Sequence, residues 1–444
     1  MDHRPGTFIA RRRVCLCVAK VGIIGMGPTG LVTGVALAVH QHQVFGFDAD
    51  PKRNRDTALG EPPFYEPGLR QALRKVLRAG RFTIVQDIAS LVRDSDILLL
   101  CVGTPSRPDG SMDDDALVAA AESISKVLPN QRLRTVVVKS TVLPGTTETV
   151  VRPILNESGR VFRLAMNPEF LQEGRALKDA LTPDRIVVGV DRPATARILK
   201  ALYRSARVPF LVTSIRAAEA IKYATNAFLA TKVAFANELA NLCEKLGVSY
   251  DEVHRGMILD PRINPRFLVP GVGFGGSCLP KDVRALVAAG RDHDVPTRLL
   301  QAVIDQNEDQ PFLAVRLLEE ELGHLEGKRI ALLGLAFKGG TDDVRESRAI
   351  PIARALVKIG AQVVGFDPRA GANFQRQVPE VQLAESVDDA LQGADGAILQ
   401  ADWPVFRRLT AKDFRRRMAK PVVVDGRRIL NPRAMKDVKF RRIG

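Results

Sequence analysis

The chain is poor in the residues that staple, ligate or stack. Its 444 residues include five cysteines, at positions 15, 17, 101, 243 and 278, an odd and unevenly spaced set that excludes a disulfide framework. Reduced thiols in a cytoplasmic protein are expected instead. Cys15 and Cys17 form a lone Cys-x-Cys with no second ligand pair nearby, so no metal site is expected. Aromatics are 5% of the residues, with a single Trp, too few for the stacking platforms of single-strand nucleic-acid binders. No apolar run reaches about 18 residues, so no membrane span is expected. The arginine-rich start resembles a signal peptide superficially. Its short apolar run leads into a glycine motif of a folded domain, so residues 1–18 read as an extension.

A net excess of charge of one sign is nearly absent from the body of the chain. The net charge is +15. Residues 1–20 hold five basic against one acidic residue, and residues 401–444 hold fourteen against four, which leaves only +1 between them. A nucleic-acid protein carries its charge on the binding body, so nucleic acid is not an expected partner. The cluster Arg415, Arg416 and Arg417 reads as a solvated helix face.

What is present is an ordinary globular composition, 45% apolar and 26% charged, long enough for about three domains of roughly 150 residues. Residues 19–48 read strand, glycine turn, helix, strand, and further short apolar runs alternate with helical segments as far as Val190. This alternation predicts a doubly wound parallel sheet with helices on both faces. Residues 214–246 then hold neither Pro nor Gly for 33 residues, which predicts one long helix stopped by Gly247. Its stripe of Ile221, Ala224, Phe228 and Phe235 has helical spacing, and a helix of this length joins domains or subunits. A second α/β unit begins near Lys328, where VVGFD echoes the earlier VFGFD. The expected division is 1–18, extension; 19–213, dinucleotide domain; 214–325, central helical and pairing region; 326–444, second α/β domain.

Three motifs carry chemistry. Gly25-x-Gly27-x-x-Gly30 follows a strand and opens a helix: the first glycine permits the tight turn, the second lets a pyrophosphate approach, and the third lets helix and strand pack closely. Asp48 ends the next strand, 18 residues past Gly30, where a carboxylate accepts from a ribose diol and repels a 2′-phosphate. NAD is therefore expected over NADP. In GVGFGGSCLPKD (271–282), four glycines in six residues let the backbone approach a ligand closely. They precede Cys278 and a helix opened by Pro280. A helix N-terminus and nearby Lys281 are expected to lower the thiol pKa, with Asp282 within reach as a proton acceptor. Lys222 and Asn226, four apart on the long helix, share one face and suit an oxyanion.

Together these motifs resemble the nucleotide-sugar 6-dehydrogenase family. The match runs from about residue 20 to the C-terminus through GMGPTG, YEPGL, VGTP, KSTVLPGTTE, NPEFLQEG, DPRI, GFGGSCLPKD, FKGGTDDVRES, DWPVF and VDGRRIL. The resemblance implies two Rossmann-like domains joined by a long central helix. It also implies a four-electron oxidation of a sugar's primary alcohol to a carboxylate with two NAD. Cys278 would be the nucleophile, Lys222 and Asn226 would steady oxyanions, Asp282 and Thr141 would hold a water, and Glu169 would assist later water chemistry. NAD would meet Gly25, Gly27, Gly30, Asp48, Arg53, Thr104, Thr141, Glu173 and Arg345. A UDP-sugar would meet Phe170, Leu171, Lys222, Asn226, Arg262, Phe267, Leu268, Phe274, Gly275, Lys338 and Arg427, with Arg428 orienting Arg427. A homodimer is implied, with Arg262 reaching the partner's site. DPRI, DWPVF and VDGRRIL favour UDP-glucose, whereas the Leu-x-Pro-Gly of 268–271 leaves GDP-mannose open, and another UDP-hexose also stays open. Non-enzyme readings are a polyanion binder and a catalytically dead NAD-binding regulator. The sequence departs from the family at Pro28 and Thr29, where a Tyr-Val pair is usual; a first helical turn tolerates Pro28.

Overall fold

The computed structural model describes residues 18–130 and 132–444. The extension up to residue 17, with Cys15 and Cys17, lies outside the described residues. Eight strands form the first sheet: β1 (Lys20–Ile24), β2 (Gln43–Phe47), β3 (Phe82–Ile84), β4 (Ile97–Leu100), β5 (Arg134–Val138), β6 (Phe162–Met166), β7 (Ile186–Val190) and β8 (Phe210–Thr213). Their order is 3-2-1-4-5-6-7-8, and all neighbours are parallel except the antiparallel pair β6–β7. The central strands β4 and β5 are buried along their whole length, which explains the apolar runs 97–100 and 136–138.

The second sheet repeats this plan with β9 (Arg329–Leu333), β10 (Gln362–Phe366), β11 (Gln382–Leu383), β12 (Gly396–Leu399), β13 (Val422–Asp425) and β14 (Lys439–Arg442). Its order is 11-10-9-12-13-14 and every pair is parallel. The two GFD echoes are thus equivalent second strands. Each order reverses beside its first strand, and open α/β sheets bind ligands at such a switch point.

Between the sheets runs a helix of 31 residues, Ile215–Lys245. Four helices matter below: α1 (Pro28–Val39), this long helix α2 (Ile215–Lys245), α3 (Leu279–Asp292) and α4 (Arg298–Leu322). Ser214 caps α2 by accepting from the Ala217 N–H at 3.2 Å, and Gly247, at φ +68°, takes the left-handed turn after its end. Helices α3 and α4 pack on α2. No helix among the described residues is long and apolar enough to cross a membrane.

The C-terminal charge has structural partners. Arg441 on β14 pairs with Glu244 of α2 at 2.7 Å and with Glu320 and Glu321 of α4, each at 3.1 Å. Arg442 and Arg428 both pair with Asp251. Arg428 therefore ties the second domain to the segment after α2 instead of orienting Arg427, the role the sequence reading gave it. Arg417 is also corrected: its side chain is 11% exposed and engaged by Asp388 and Asp413, both at 2.8 Å, whereas Arg415 and Arg416 are solvated.

Candidate active site

The glycine turn after β1 divides three tasks. Gly25 has φ +93°, and a Cβ there would lie 2.8 Å from the Cys101 carbonyl. A Cβ on Gly30 would lie 1.8 Å from the Gly25 carbonyl, so α1 packs on the turn only through glycine. A Cβ on Gly27 would meet nothing within 4 Å. The one glycine with free space is therefore the one that an incoming pyrophosphate needs. Asp48 braces the turn, accepting from the Met26 N–H at 2.6 Å, and pairs with Arg53 at 3.0 Å. Arg53, the nearby cation a 2′-phosphate would seek, is thus engaged by the Asp48 carboxylate. The Thr104 hydroxyl donates to the Thr141 carbonyl at 2.7 Å, joining the ends of β4 and β5. These residues fit a dinucleotide.

A cavity of about 550 Å³ opens beside this domain and extends to the second one. Lys222, Asn226, Glu169, Phe170, Leu171, Glu173, Phe267, Phe274, Gly275, Cys278, Lys338 and Arg427 all line it. The structure thus brings together residues from five stretches of sequence. Five expected residues stand elsewhere. Asp282 lies behind the wall, Thr141 is at the strand end, and Arg345 borders Glu173 at 3.7 Å. Leu268 packs in the apolar cluster around Tyr250. Arg262 is 87% exposed, pairs with Asp260, and does not line the cavity of its own chain.

Cys278 is the N-cap of α3, as its spacing from Pro280 predicts. Its thiol is not depressed. Burial pushes it up to about 11, against the downward pull of Lys222. Two physical reasons correct the expectation. Packing around the half-buried sulfur keeps much water from it, and Lys281 is spent on Asp282 at 2.6 Å. Lys222 is the cation that serves the thiol. It is 2% exposed and donates to Glu169 at 2.9 Å. Burial alone would lower the lysine pKa, but Glu169, Cys278 and Asp282 together raise it. Glu169 behaves conversely: burial raises it, and Lys222, the Leu171 N–H and Lys139 bring it below the usual carboxylate range. The Asn226 amide donates to Asp282 at 2.6 Å, which turns its carbonyl oxygen away from that carboxylate and fixes the side chain on the cavity wall.

The glycine loop before Cys278 is held by amides that its sequence does not announce. Asn237 of α2 accepts from Gly271 N–H at 2.8 Å, and Asn307 of α4 accepts from Phe274 N–H at 2.7 Å. Gln310 donates to the Gly271 carbonyl at 2.8 Å. A Cβ on Gly275 would lie 2.2 Å from the Glu346 carbonyl and one on Gly276 would lie 2.7 Å from Phe337. The second domain therefore sits directly on the loop. Arg427 seals the joint, donating to the carbonyls of Phe337 at 2.6 Å and Gly273 at 3.4 Å. Glu173 joins the same seam. Burial and the Asp343 carboxylate push it up to about 7, while Ser277 donates to it at 3.1 Å.

Known proteins share this arrangement. Three models of the UDP-glucose/GDP-mannose dehydrogenase family match in sequence order: the NAD binding domain over residues 19–207, the central domain over 216–309 and the UDP binding domain over 331–432. The chain belongs to the UDP-glucose/GDP-mannose dehydrogenase family. A UDP-glucose 6-dehydrogenase of Haloferax volcanii is 41% identical over 93% of this chain and 98% of its own. One from Bacillus subtilis is 39% identical, over 92% and 93% respectively. The structure of a UDP-glucose dehydrogenase from Pyrobaculum islandicum superposes with a TM-score of 0.90 at 38% identity, over 97% of this chain and 98% of that one. Like the family, the chain is an NAD-dependent oxidoreductase.

Proposed function

We propose that the chain oxidises the C6 alcohol of UDP-glucose to the carboxylate of UDP-glucuronate, with Cys278 as the covalent nucleophile. The observation that carries this reading is the convergence of Cys278, Lys222, Asn226 and Glu169 on one cavity between the NAD-binding and UDP-binding domains. UDP-glucose is preferred over GDP-mannose because the similar proteins named above act on UDP-glucose by name. On this reading residues 19–213 hold NAD, 214–325 carry the cysteine loop and pair subunits, and 326–444 hold the UDP moiety.

When bound, NAD supplies the hydride acceptor for both oxidations. The chain's residues do the rest. Lys222 and Asn226 face the alcohol oxygen and stabilise it as its proton passes to a bound water. After the first hydride is lost, the Cys278 sulfur adds to the aldehyde carbon, and the C=O pair becomes an alkoxide held by the same two side chains. Loss of the second hydride from that carbon leaves a thioester. Glu169 orients a water onto the thioester carbon, the sulfur leaves as thiolate, and the acid formed loses its proton. The thiol passes its proton to water as it adds, and the Lys222 cation stabilises the thiolate at that step. Asp282 acts through Asn226, which it anchors. Glu173 and Arg345 border the cofactor side, while Lys338 and Arg427 provide cations for a diphosphate.

A homodimer belongs to the same reading. Phe228, Phe235 and Leu242 of α2 and Leu246 at its C-cap form an apolar row, 66%, 49%, 53% and 67% exposed. Such a face is covered in a stable protein by another apolar face. Arg262, exposed and outside its own cavity, would serve the partner's. Light scattering is expected to give twice the 48.5 kDa chain mass, and Phe235→Asp to give monomers. A monomeric wild-type chain would sink this part.

Substrate choice is tested by following NADH with each purified nucleotide sugar. UDP-glucose is expected to give turnover and GDP-mannose little. Turnover with GDP-mannose and none with UDP-glucose would reverse the assignment.

A further inference from the structure

One motif has no task in the mechanism above. YEPGL (65–69) lies between β2 and β3 of the first domain and lines no part of the cavity. Its C-terminal end is anchored. Gly68, at φ +78°, turns the chain into the helix Leu69–Arg78, whose Leu69 and Leu73 are buried in the first domain's core.

The two residues at the start of the motif grip opposite sides of the domain joint. Glu66 is 6% exposed and accepts from the Gly174 N–H at 2.8 Å and the Leu177 N–H at 3.4 Å. Among the described residues no cation forms an ion pair with it. Burial pushes its carboxyl up, and the backbone N–H groups pull the other way. A buried carboxylate held only by backbone N–H groups costs stability. Tyr65 faces the second domain. Its N–H donates to Asp342 Oδ1 at 3.1 Å, the Arg369 guanidinium stands 4.5 Å from its ring centre, and the ring packs against the second domain's apolar cluster.

What the two residues grip points to their task. Gly174 ends the segment that brings Phe170, Leu171 and Glu173 to the cavity, and Asp342 follows closely on Lys338, a cavity cation of the second domain. These two segments meet glycine to glycine: a Cβ on Gly174 would lie 3.1 Å from the Gly340 carbonyl. Neither glycine has a side chain to fix how far one segment lies along the other. The side-chain links beside them are long, Thr341 to Glu173 at 3.4 Å and Arg345 to Glu173 at 3.7 Å. The Tyr65–Glu66 dipeptide holds both segments, one residue on each, and is itself fixed to the first domain's core.

Resting on the reading of the cavity as a UDP-sugar site, we propose that Tyr65 and Glu66 are positioning residues: together they set the Glu169–Gly174 segment and the Lys338 loop in register, and so shape the diphosphate subsite across the domain joint. A ligand that spans both segments depends on this register. A ligand held by the glycine turn and Asp48 alone does not.

Calorimetric titration with UDP and with ADP-ribose separates the two. Glu66→Gln keeps the volume but leaves one backbone N–H without an acceptor. Tyr65→Leu takes the ring away from Arg369. UDP is expected to bind at least about tenfold more weakly to each variant, with KM for UDP-glucose rising in step, while ADP-ribose stays within about twofold of wild type. The double variant should lose little more than the weaker-binding single one, because both residues act through one dipeptide. UDP binding unchanged in both single variants, ADP-ribose weakened as far as UDP, or losses that multiply in the double variant would overturn the proposal. Should Glu66→Gln fail to fold, Tyr65→Leu and Asp342→Ala carry the same test. A wild-type chain that binds GDP and not UDP would overturn the substrate assignment alone, and the variants then read the register with GDP.

Discussion

Cys278→Ser is expected to stop uronate formation, with a loss of at least about 10³-fold, while NAD binding changes less than about twofold. The substitution exchanges one second-row atom for a first-row atom at the N-cap of α3 and leaves the glycine turn of the other domain untouched. A serine hydroxyl titrates far above a thiol, so even the Lys222 cation does not yield an attacking oxyanion. Hydride loss should then stall after the first oxidation, with at most one NADH per sugar. Chromatography of the product and titration of NAD check the two halves separately. Uronate formed at the wild-type rate would remove the covalent step from the account.

Lys222→Met should be nearly as damaging and should also cost stability. Methionine fills the lysine stem but strands Glu169, whose carboxylate is 8% exposed in its side chain. Breaking a buried pair costs about 3–5 kcal/mol, and here part of that cost is relieved as the stranded carboxyl takes up a proton. Glu169 is held low in the wild-type chain, so its contribution to stability exists above the ordinary carboxylate pKa and is lost as pH falls. The variant is therefore expected to unfold at lower urea near neutral pH and to approach wild-type stability in acid, where the wild-type pair is itself lost. Loss of one oxyanion donor lowers kcat by about 10²–10³-fold. Urea titrations at two pH values and steady-state kinetics measure the two effects. Equal destabilisation at both pH values would contradict the buried pair.

The local features were legible in sequence and the long-range ones were not. Gly25, Gly27 and Gly30 each answer to an atom within one strand–turn–helix unit, so spacing alone assigns their tasks. The helix Ile215–Lys245 is legible because nothing in it breaks a helix. The i, i+4 spacing of Lys222 and Asn226 places both on one wall. It does not supply the partner Glu169, 53 residues away on another element. The direction of the Cys278 thiol is hidden for the same reason: helix end and Lys281 are near in sequence, whereas the burial that dominates is a property of the folded site. Asn237, Asn307 and Gln310 look like ordinary helix surface in a one-dimensional reading, yet all three are buried against the glycine loop before Cys278. A polar residue inside a long helix was the available signal, and it does not name a target.

The terminal charge illustrates the same divide. Its asymmetry along the chain excludes a basic binding body, but only the fold shows that Arg428, Arg441 and Arg442 clasp acids on α2, on the segment after it and on α4. Those cations hold the second domain against the central helices and thereby help shape the cavity between them.

The central claim is that one cavity carries out two successive oxidations on one sugar without releasing the aldehyde. Limiting UDP-glucose, excess NAD and purified enzyme give its most direct measurement: NADH formed per UDP-glucose consumed, read with the identity of the product. The account predicts a ratio of about two with UDP-glucuronate as the product; a ratio of one with free aldehyde accumulating would contradict it.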